Sequence, residues 1–368
     1  MKAQGIDVVS FAAGEPDFNT PEPIRRAAIE AIEAGFTKYT PTSGIDALKK
    51  AVSEKLARDN GVKVAPEQVV VSCGAKQSVY NAMQILLDPG DEVILVAPYW
   101  MTYAEQVWLA GGVPKVVRTA SADGFIPSYE ALKQAVSPRT KAIIVNSPTN
   151  PTGAVWPRET IKQVAALALR HGFWVVADEI YEKLVYGVEH VSIASLGTDI
   201  AEQTVTINGC SKTYAMTGWR IGYAAAPLPV AKSMSNLQDQ VTSNPTSFAQ
   251  KGAVVALGLP PTDVDLMRAE FRARRDLISS LLVKIPGVRL EPPKGAFYVL
   301  PDFSAFLGGK IKDDVALAEY LLEEARVATI PGSVFIAEGH LRLTYATGRA
   351  DIEKGVARIG DALQRLRA

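Results

Sequence analysis

The sequence has few of the residues that hold metals or form disulfide frameworks. Its 368 residues include only two cysteines, Cys73 and Cys210, and three histidines. Two cysteines so far apart exclude a disulfide scaffold and favour a reducing compartment, so we expect a cytoplasmic protein. The histidines, His171, His190 and His340, are scattered without a CxxC or HxxxH spacing, and we therefore expect no metal site.

Net charge and long apolar runs are also missing. The chain has 39 Lys and Arg residues against 39 Asp and Glu residues. This balance removes the attraction that nucleic acid or an anionic membrane would exert. No run approaches the ~20 apolar residues that a spanning helix needs, and the start, "MKAQGIDVVSF", lacks the apolar segment of a signal peptide. We predict a globular protein with neither nucleic acid nor membrane as a partner.

Seven short apolar runs in the middle of the chain predict buried strands. They are "QVVVSCG" from Gln68, "DEVILVAP" from Asp91, "PKVVRT" from Pro114, "KAIIVNSP" from Lys141, "FWVVADEI" from Phe173, "TVTING" from Thr204 and "RIGYAAA" from Arg220. Helical patterns lie between several of them. Strand, helix and strand at this length indicate right-handed parallel crossovers. We therefore predict an α/β fold with three α/β/α layers around a mostly parallel, seven-stranded sheet.

The helical pattern is clearest in "PRETIKQVAALALRHG". Its apolar stripe consists of Ile161, Val164, Ala165, Ala168 and Leu169. The repeat at i, i+3, i+4, i+7 and i+8 is that of an amphipathic helix. Pro157 begins this helix, and His171 with the following Gly172 should end it, with His171 as the capping residue.

A smaller α+β domain is predicted beyond this sheet. The segment "PPTDVDLMRAEFRARRDLISSLLVKI" is typical of one long helix after a Pro-Pro break. The runs "GAFYVL", "VATIPGS" and "HLRLTYA", with helices near Ala316 and Asp351, complete the domain. The segment "DVVSFAAGEPDF" has no strand partner nearby and should join this domain or the cleft. We assign residues 16–257 to the large domain, and residues 1–15 and 258–368 to the small one.

Polar residues follow several of the predicted strands. They are Gly74 to Gln77, Pro98 to Trp100, Asn146 to Gly153, Asp178 to Tyr181, and Ser211 with Lys212. In open α/β sheets, ligands bind outside the carboxyl ends of the strands. The sequence therefore predicts that these residues converge on one site.

Three of these segments have alternative explanations. Gly74 and Ala75 lead into a helix whose free N–H groups suit a phosphate. Lys76 stands in the first turn, where the helix dipole disfavours a cation, and this placement indicates a function. The alternative for this segment is a plain strand-to-helix turn with a solvated lysine. Asn150 lies in "NSPTNPTG", which is also consistent with a simple turn. Asp178 ends an apolar strand, where a carboxylate needs a donor or cation, but a helix N-cap would also explain it.

The stretch "SKTYAMTGWRIGY" contains Lys212 and Arg220. A lysine in a partly desolvated pocket can form a Schiff base with an aldehyde, and a guanidinium suits a phosphate. Asp178 matches a ring nitrogen, and Asn150 with Tyr181 matches a phenolic oxygen. Together these groups describe pyridoxal 5'-phosphate, PLP.

The ordered motifs resemble the class I aminotransferases of fold type I, and within them the bacterial aspartate aminotransferase branch. They are "AAGEPDFNTP", "KYTPTSGIDALKKA", "GAKQSVYNAMQILLDPGDEV", "PYW", "NSPTNPTG", "DEIYEKL", "SKTYAMTGWRIGY", "TSNPTSFAQ", "PKGAFY" and "HLRLTYA". The lysine-bearing motif is highly specific, whereas "NPTG" or "DEIY" alone is weak. The resemblance covers nearly the whole chain.

The resemblance implies a role for each cofactor residue. Lys212 would be the catalytic lysine that bonds to PLP and moves the proton. Asp178 would hold the ring nitrogen, Asn150 and Tyr181 the ring oxygen, and Trp100 would stack on the ring. The phosphate would be bound by Arg220, Ser211 and the turn of Gly74, Ala75 and Lys76.

Further residues are implied for the substrate and for a partner subunit. Arg342, Asn150 and the backbone of Gly14 would clamp the substrate α-carboxylate, with Trp100 beside it. Tyr39 would reach the phosphate of a neighbouring subunit, which implies a homodimer with shared sites. Without the resemblance, Trp100 and Tyr39 are explained by packing and Arg342 by an exposed strand position.

The chain departs from the resembling family at two places. Gly209 stands where many relatives have a serine three residues before the lysine, so a phosphate hydrogen bond must come from elsewhere. The chain also starts almost at "GIDVVSF", where relatives have an arm that packs on the partner. Either the start is truncated or the pocket closes differently.

The resemblance implies transamination between amino acids and 2-oxo acids. A lysine at the position of Lys76 reads the distal carboxylate in this branch, so we expect L-aspartate and 2-oxoglutarate as substrates, with prephenate as a further acceptor. Alternatives are an alanine, aromatic or kynurenine-type aminotransferase, and a carbon–sulfur β-lyase. A non-catalytic PLP-binding regulator would need a basic DNA-binding segment, which this neutral chain lacks.

Overall fold

The computed structural model describes Met1 and residues 4–367. Its strands are β1 (Val9–Ser10), β2 (Val69–Ser72), β3 (Glu92–Ala97), β4 (Val113–Arg118), β5 (Thr140–Asn146), β6 (Trp174–Asp178), β7 (Thr204–Gly209), β8 (Gly222–Ala225), β9 (Tyr298–Val299), β10 (Val327–Ala328), β11 (Ile330–Pro331) and β12 (Leu341–Thr344). Its helices are α1 (Glu22–Glu33), α2 (Asp46–Lys55), α3 (Ala75–Leu86), α4 (Thr102–Leu109), α5 (Tyr129–Ala135), α6 (Arg158–His171), α7 (Thr198–Ala201), α8 (Leu228–Val241), α9 (Ser247–Gly258), α10 (Pro261–Leu282), α11 (Asp314–Glu324) and α12 (Arg349–Arg367).

Seven of these strands form the central sheet, in the order β2-β8-β7-β6-β5-β3-β4. β8 is antiparallel to both β7 and β2, and the other neighbours are parallel. All seven predicted strands are present, and the prediction of a mostly parallel sheet is confirmed. The runs are continuously apolar because both faces of the inner strands are covered.

Alternate side chains of β3 show the layering. Val93 and Leu95 pack in a core with α3 and α4, whereas Ile94 and Val96 pack in a core with α5 and α6. Successive strand residues point to opposite faces, so two helical layers are needed to bury this run. The three-layer prediction is therefore confirmed.

β4 differs from the prediction of a fully buried strand. It lies at one edge of the sheet, and Val117 is its only buried residue. The edge position explains the exposure, because a terminal strand has a neighbour on one side only.

The apolar stripe of α6 is rotated slightly from the predicted one. Leu169 is 43% exposed, and Leu167 is buried in its place. The buried face of α6 is centred near Val164, so Leu169, eight residues after Ile161, lies at the margin of that face. Gly172, not His171, is the cap: it adopts a left-handed conformation, and its N–H donates to Ala168 O over 2.8 Å.

The remaining strands belong to the predicted α+β part. β11, β12 and β9 form a three-stranded antiparallel sheet. β1 pairs with β10 in parallel, Val9 opposite Val327, so the "DVVSF" segment joins this part. Phe11 packs there in one core with Phe271 of α10 and Ile352 of α12. The predicted division at residues 16–257 stays a prediction.

Within the described part of the chain, none of the helices is both long enough and apolar enough to cross a membrane.

Candidate functional site

The topology brings the predicted site residues to one edge of the sheet. Asn146 and Asp178 end β5 and β6 side by side. Because β8 is antiparallel, Arg220 precedes its start at the same edge where β2 ends, and Ser72 pairs there with Gly222. The result is a cleft of about 430 Å³, within the range of small-molecule sites. It is lined by Gly14, Ala75, Lys76, Trp100, Tyr103, Asn150, Asp178, Tyr181, Ser211, Lys212, Arg220, Tyr298 and Arg342, among others.

Lys212 lies three residues beyond the end of β7. Its Nζ donates to Gly14 O over 2.5 Å and lies 5.8 Å from the centroid of the Phe297 ring. Burial lowers the pKa of Lys212 to about 8, and Arg220 acts in the same direction, although Glu15 opposes it. A neutral, nucleophilic amine is therefore accessible near neutral pH.

Asp178 is 3% exposed and has two hydrogen-bond donors. Tyr103 Oη donates to Asp178 Oδ2 over 2.7 Å, and the Ile180 N–H donates to Oδ1 over 3.2 Å. Burial raises the pKa of Asp178, and both hydrogen bonds oppose that rise. Asp178 precedes turns rather than a helix, so the N-cap explanation is wrong.

Arg342 is also buried, at 7% exposure. Its Nη1 donates to Asn150 Oδ1 over 3.0 Å and its Nη2 to Ala12 O over 3.0 Å. Its Nε has no hydrogen-bond partner among the residues that the structure describes. The guanidinium lies 4.5 Å from the centroid of the Tyr298 ring. A buried guanidinium without a carboxylate partner suits a carboxylate ligand, and the explanation as an exposed strand residue is wrong.

The Gly74 turn and Arg220 form the anion-binding end of the cleft. Gly74 has a φ of 91° directly before the start of α3, and a Cβ at this position would collide with the Arg220 guanidinium. Arg220 Nη1 donates to Thr217 O over 2.8 Å, and its Nη2 to Cys73 O over 3.3 Å. Ser211, 7% exposed, lines the same cleft. A helix start beside a guanidinium is a suitable phosphate site.

Lys76 and Trp100 lie together in the wall of the cleft. The Lys76 Nζ is 4.8 Å from the centroid of the Trp100 ring. A cation at this distance from an indole face is attracted to it, while its charge stays available to a ligand. Lys76 is an exposed residue that also lines the cleft beside Trp100, so its ammonium is solvated and accessible to a ligand.

Gly209 shows why a serine is absent three residues before Lys212. It pairs with Gly222, and a Cβ at Gly209 would lie 2.9 Å from both Gly222 Cα and Ile221 O. Gly222 has no room either, because a Cβ there would collide with Gly74 and Ala75. The start of β8 thus packs closely between β7 and the turn of Gly74 and Ala75.

Two tyrosines of the cleft escaped the sequence interpretation. Tyr103 bonds to Asp178, and Tyr298 Oη lies 2.9 Å from Tyr181 Oη. The only signals were the spacing of Tyr103 three residues after Trp100 and the aromatic end of "PKGAFY". By contrast, Tyr39 is 91% exposed and does not line the cleft of its own chain.

The residues present fit PLP. Among the described residues, buried Asp178 has hydrogen-bond donors but no ion-pair partner, which a protonated ring nitrogen would supply. The Gly74 turn with Arg220 suits a phosphate. Lys212 combines a lowered pKa with access to the same cleft. The wall also contains Trp100, whose indole offers an aromatic surface to a planar ring.

Comparisons with known proteins agree with this geometry. The family model "Aminotransferase class I and II" matches residues 6–359. The aspartate aminotransferase of Geobacillus stearothermophilus is 49% identical over 98% of this chain and 92% of its own length. The aspartate/prephenate aminotransferase of Thermus thermophilus is 46% identical over 99% and 93%.

A solved structure shows the same fold. The aspartate aminotransferase from Thermus thermophilus with maleate has a TM-score of 0.94 at 45% identity, covering 98% of this chain and 93% of that one. The predicted dependence on PLP is confirmed by the family. The chain therefore belongs to the class I and II aminotransferases, enzymes that use PLP to transfer amino groups.

Proposed function

We propose that this aminotransferase moves the amino group of L-aspartate to 2-oxoglutarate, forming oxaloacetate and L-glutamate, with prephenate as a further acceptor. The observation that carries the proposal is the presence of two cationic side chains, Arg342 and Lys76, in the cleft that contains Lys212. A dicarboxylic substrate needs one cation for each carboxylate. An alanine or aromatic substrate would make no ion pair with Lys76, so it would gain less binding energy from this cleft than aspartate does.

The lining of the cleft supports a proposed set of cofactor contacts. The phosphate binds to Arg220, Ser211 and the turn of Gly74, Ala75 and Lys76. Asp178 binds the ring nitrogen, and its hydrogen bond from Tyr103 opposes the protonation that burial favours. When bound, PLP supplies an electrophilic carbonyl and an electron-withdrawing ring.

The other ring contacts involve three side chains. Asn150 and Tyr181 bind the ring oxygen, and the Tyr298 hydroxyl orients Tyr181 through their hydrogen bond. Trp100 stacks on the ring and also borders the substrate. Each of these groups already lines the cleft in a buried or partly buried position.

Lys212 is the catalytic residue. Its neutral amine would hold the cofactor covalently, and the substrate amine would replace it in that bond. The released lysine amine would then accept the proton at the substrate Cα and return it. A pKa of about 8 suits both tasks, because a base near the working pH is neither permanently charged nor too weak. The carbonyl of Gly14, which accepts the Lys212 hydrogen bond, holds the amine in place.

The substrate is held at both ends. Arg342, kept in place by Asn150 and Ala12 O, binds the α-carboxylate with the help of the Gly14 backbone. Lys76 binds the distal carboxylate. With both ends fixed, the Cα hydrogen is oriented toward Lys212, and orientation of this kind lowers the barrier to proton transfer.

A homodimer with shared sites is part of the proposal. Tyr39 is 91% exposed in one chain, an unusual position for a large aromatic side chain, and we propose that it binds the phosphate in the partner subunit. The two cysteines are free, which supports the proposed location in the cytoplasm. We also propose that residues 16–257 form the large domain, and 1–15 with 258–368 the small one.

A substrate panel tests the proposed reaction. We would measure kcat/KM for aspartate, alanine and phenylalanine with 2-oxoglutarate in the wild type, in Lys76→Ala, and in the control Lys115→Ala, which changes an exposed lysine of β4. Loss of a charge-assisted hydrogen bond of about 1.5 to 3 kcal/mol predicts an aspartate kcat/KM that is about 10- to 150-fold lower in Lys76→Ala. Alanine turnover should change little.

The panel also separates the alternatives. A wild type that prefers alanine or phenylalanine would replace the proposed substrate. An unchanged aspartate preference in Lys76→Ala would show that this lysine does not read the distal carboxylate. Release of ammonia and pyruvate from cysteine conjugates, without formation of glutamate, would instead indicate a lyase.

A further inference from the structure

Five polar side chains form a buried group behind the cleft. They are Lys55, Asn60, Glu179, Glu182 and His190, and we refer to them as the ion cluster. The first four are no more than 8% exposed, and the side chain of His190 is 10% exposed. Burying this many charged groups is unfavourable unless they neutralise one another, so the group needs an explanation.

The contacts within the ion cluster are continuous. The Lys55 Nζ bonds to Asn60 Oδ1 over 2.7 Å and to the Glu182 carboxylate. The Asn60 amide in turn donates to Glu179 Oε2 over 3.0 Å and to Glu182. His190 Nε2 lies 3.3 Å from Glu179 Oε2. Lys55, Asn60, Glu179 and Glu182 are thus joined by hydrogen bonds, and His190 lies at ion-pair distance from Glu179.

Local backbone structure makes part of this network. Lys55 ends α2, and the next five residues, Leu56–Asn60, form a single π-helical turn. The i to i+5 spacing of such a turn brings Asn60 beneath the Lys55 ammonium, where an ordinary α-helical turn would place the preceding residue.

The charges of the ion cluster are matched. Burial alone would raise the pKa of Glu182, but Lys55 and His190 lower it below its usual range. Burial alone would lower the pKa of His190, but Glu179 raises it. Both shifts favour the charged forms of Glu182 and His190.

A metal is a weaker explanation for the same residues. Donor atoms of Glu179, Glu182 and His190 lie within 4.8 Å of one another, a spacing that a metal ion could use. However, the Lys55 ammonium already contacts Glu182 and supplies the positive charge that a metal would bring. A divalent ion would have to displace it.

The ion cluster shares one short segment with the cleft. Asp178, Ile180 and Tyr181 line the cleft, whereas Glu179 and Glu182 point to the opposite side, toward α2 and Asn60. The Glu182 N–H also donates to Glu179 O over 2.9 Å. Residues 178–182 therefore form a tight turn whose two sides alternate between cofactor contacts and the ion cluster.

We propose that Lys55, Asn60, Glu179, Glu182 and His190 are positioning residues that hold Asp178 and Tyr181 at the PLP ring. The inference rests on the proposed roles of Asp178 and Tyr181. The physical reason is that Glu179 and Glu182 tie the turn to Asn60 and Lys55 on the side away from the cleft. Two carboxylates bound by buried donors resist displacement, because any movement would leave a buried charge without a partner.

The key variant is Glu182→Gln, which removes one carboxylate and leaves the Lys55 ammonium without its ion-pair partner. The matched control is Glu92→Gln. Glu92 is 4% exposed and its carboxylate accepts hydrogen bonds from Ser137 and Arg139 over 2.7 Å each. It is the first residue of β3, at the amino ends of the parallel strands and therefore away from the cleft. Both variants remove a buried carboxylate charge, and only one touches the turn.

The readouts are the Kd of PLP for the cofactor-free proteins, by equilibrium dialysis, and the kcat and KM of the reconstituted enzymes. We expect Glu182→Gln to raise the Kd of PLP at least tenfold and to lower kcat, with the KM for aspartate within threefold. In Glu92→Gln the Kd should stay within twofold of the wild type, although both variants unfold at lower urea concentrations.

A double variant keeps the test decisive if Glu182→Gln does not fold. Lys55→Met with Glu182→Leu replaces the ion pair by apolar groups, which often preserves stability. If its stability recovers while the Kd of PLP stays at least tenfold raised, the positioning role is supported. If the double variant binds PLP as the wild type does, the ion cluster is only structural.

A third variant distinguishes an error in the proposed PLP contacts from an error in the positioning inference. Asp178→Asn changes the proposed ring-nitrogen contact itself. If this variant binds PLP normally, the role of Asp178 is wrong, whatever the result with Glu182→Gln. If Asp178→Asn weakens binding and Glu182→Gln does not, the function stands and the positioning inference falls.

Discussion

Replacing Lys212 with methionine should abolish transamination and at the same time stabilise the cofactor-free protein near neutral pH. The side chain is held in a site where burial lowers its pKa from 10.5 to about 8. Folding therefore disfavours the charged form that the unfolded chain has at pH 7. Methionine fills a similar volume without a charge, so the variant escapes this cost.

The magnitude follows from the pKa shift. At pH 7 a shift of this size corresponds to a cost of about 3 kcal/mol in the free energy of unfolding. The hydrogen bond from Lys212 Nζ to Gly14 O, lost in the variant, contributes about 1 kcal/mol in the other direction. We expect Lys212→Met to be more stable than the wild type by about 2 kcal/mol.

The difference should depend on pH in one direction. Between pH 8 and 10.5 the unfolded chain holds a proton that the folded chain has released, so wild-type stability rises with pH in this window. At pH 9.5 the cost falls to about 1 kcal/mol, which the hydrogen bond to Gly14 O offsets, so the two proteins should have nearly equal stability.

Urea unfolding of the cofactor-free proteins at pH 7 and pH 9.5 measures both values. Lys115→Met, which changes an exposed lysine of β4, is the control and should show no such pH dependence. The reasoning would be refuted if Lys212→Met were less stable than the wild type at pH 7, or if the difference between them did not shrink at pH 9.5.

Three further predictions concern other contacts of the cleft. Tyr103→Phe removes a hydrogen bond to the buried Asp178 carboxylate, so the Kd of PLP should rise about tenfold. The pKa of Asp178 should rise further, and the acid limit of PLP binding should therefore move to higher pH. An unchanged pH titration of PLP binding would contradict this prediction. Arg342→Lys keeps the charge but lacks the planar fork that bonds to Asn150, Ala12 O and a carboxylate together. The kcat/KM should therefore fall by about 10- to 100-fold for every amino acid, while the titration with PLP is unchanged. A lower kcat/KM for aspartate alone would argue against an α-carboxylate role. For Tyr39→Phe we expect weaker PLP binding. Hybrid dimers of Lys212→Ala with Tyr39→Ala subunits should have one wild-type site each, or about half of the activity of a wild-type dimer, because one of the two sites then has neither change. No recovery in a mixture shown by mass to contain hybrid dimers would exclude shared sites.

The strands and their layering could be predicted from local pattern. Continuous apolar runs such as "VILVA" in β3 have to be buried on both faces, and they are. The exceptions have physical causes. β4 is exposed because it lies at the edge of the sheet, and Leu169 is exposed because the buried face of α6 is rotated toward Leu167.

Most cleft residues were also marked in the sequence, because each follows a strand at the edge where ligands bind. Lys212, Asp178 and Asn150 are examples, and all three line one cleft. Their assigned roles remain predictions. Tyr103 and Tyr298 were missed because a tyrosine inside an apolar segment is explained equally well by packing, and Tyr103 is 75 residues away from its partner.

Residue types and order along the chain determined the family, the strand runs and the identity of the chemically active groups, since these depend on local pattern and on motifs. Tertiary structure alone decided which groups act on one another. The antiparallel insertion of β8 brings Arg220 against the Gly74 turn and leaves no room for a side chain at Gly209. Burial then lowers the pKa of Lys212 and gathers the charges of the ion cluster behind Asp178. Burial and long-range contact depend on how distant segments pack, and that information is absent from any short stretch of sequence.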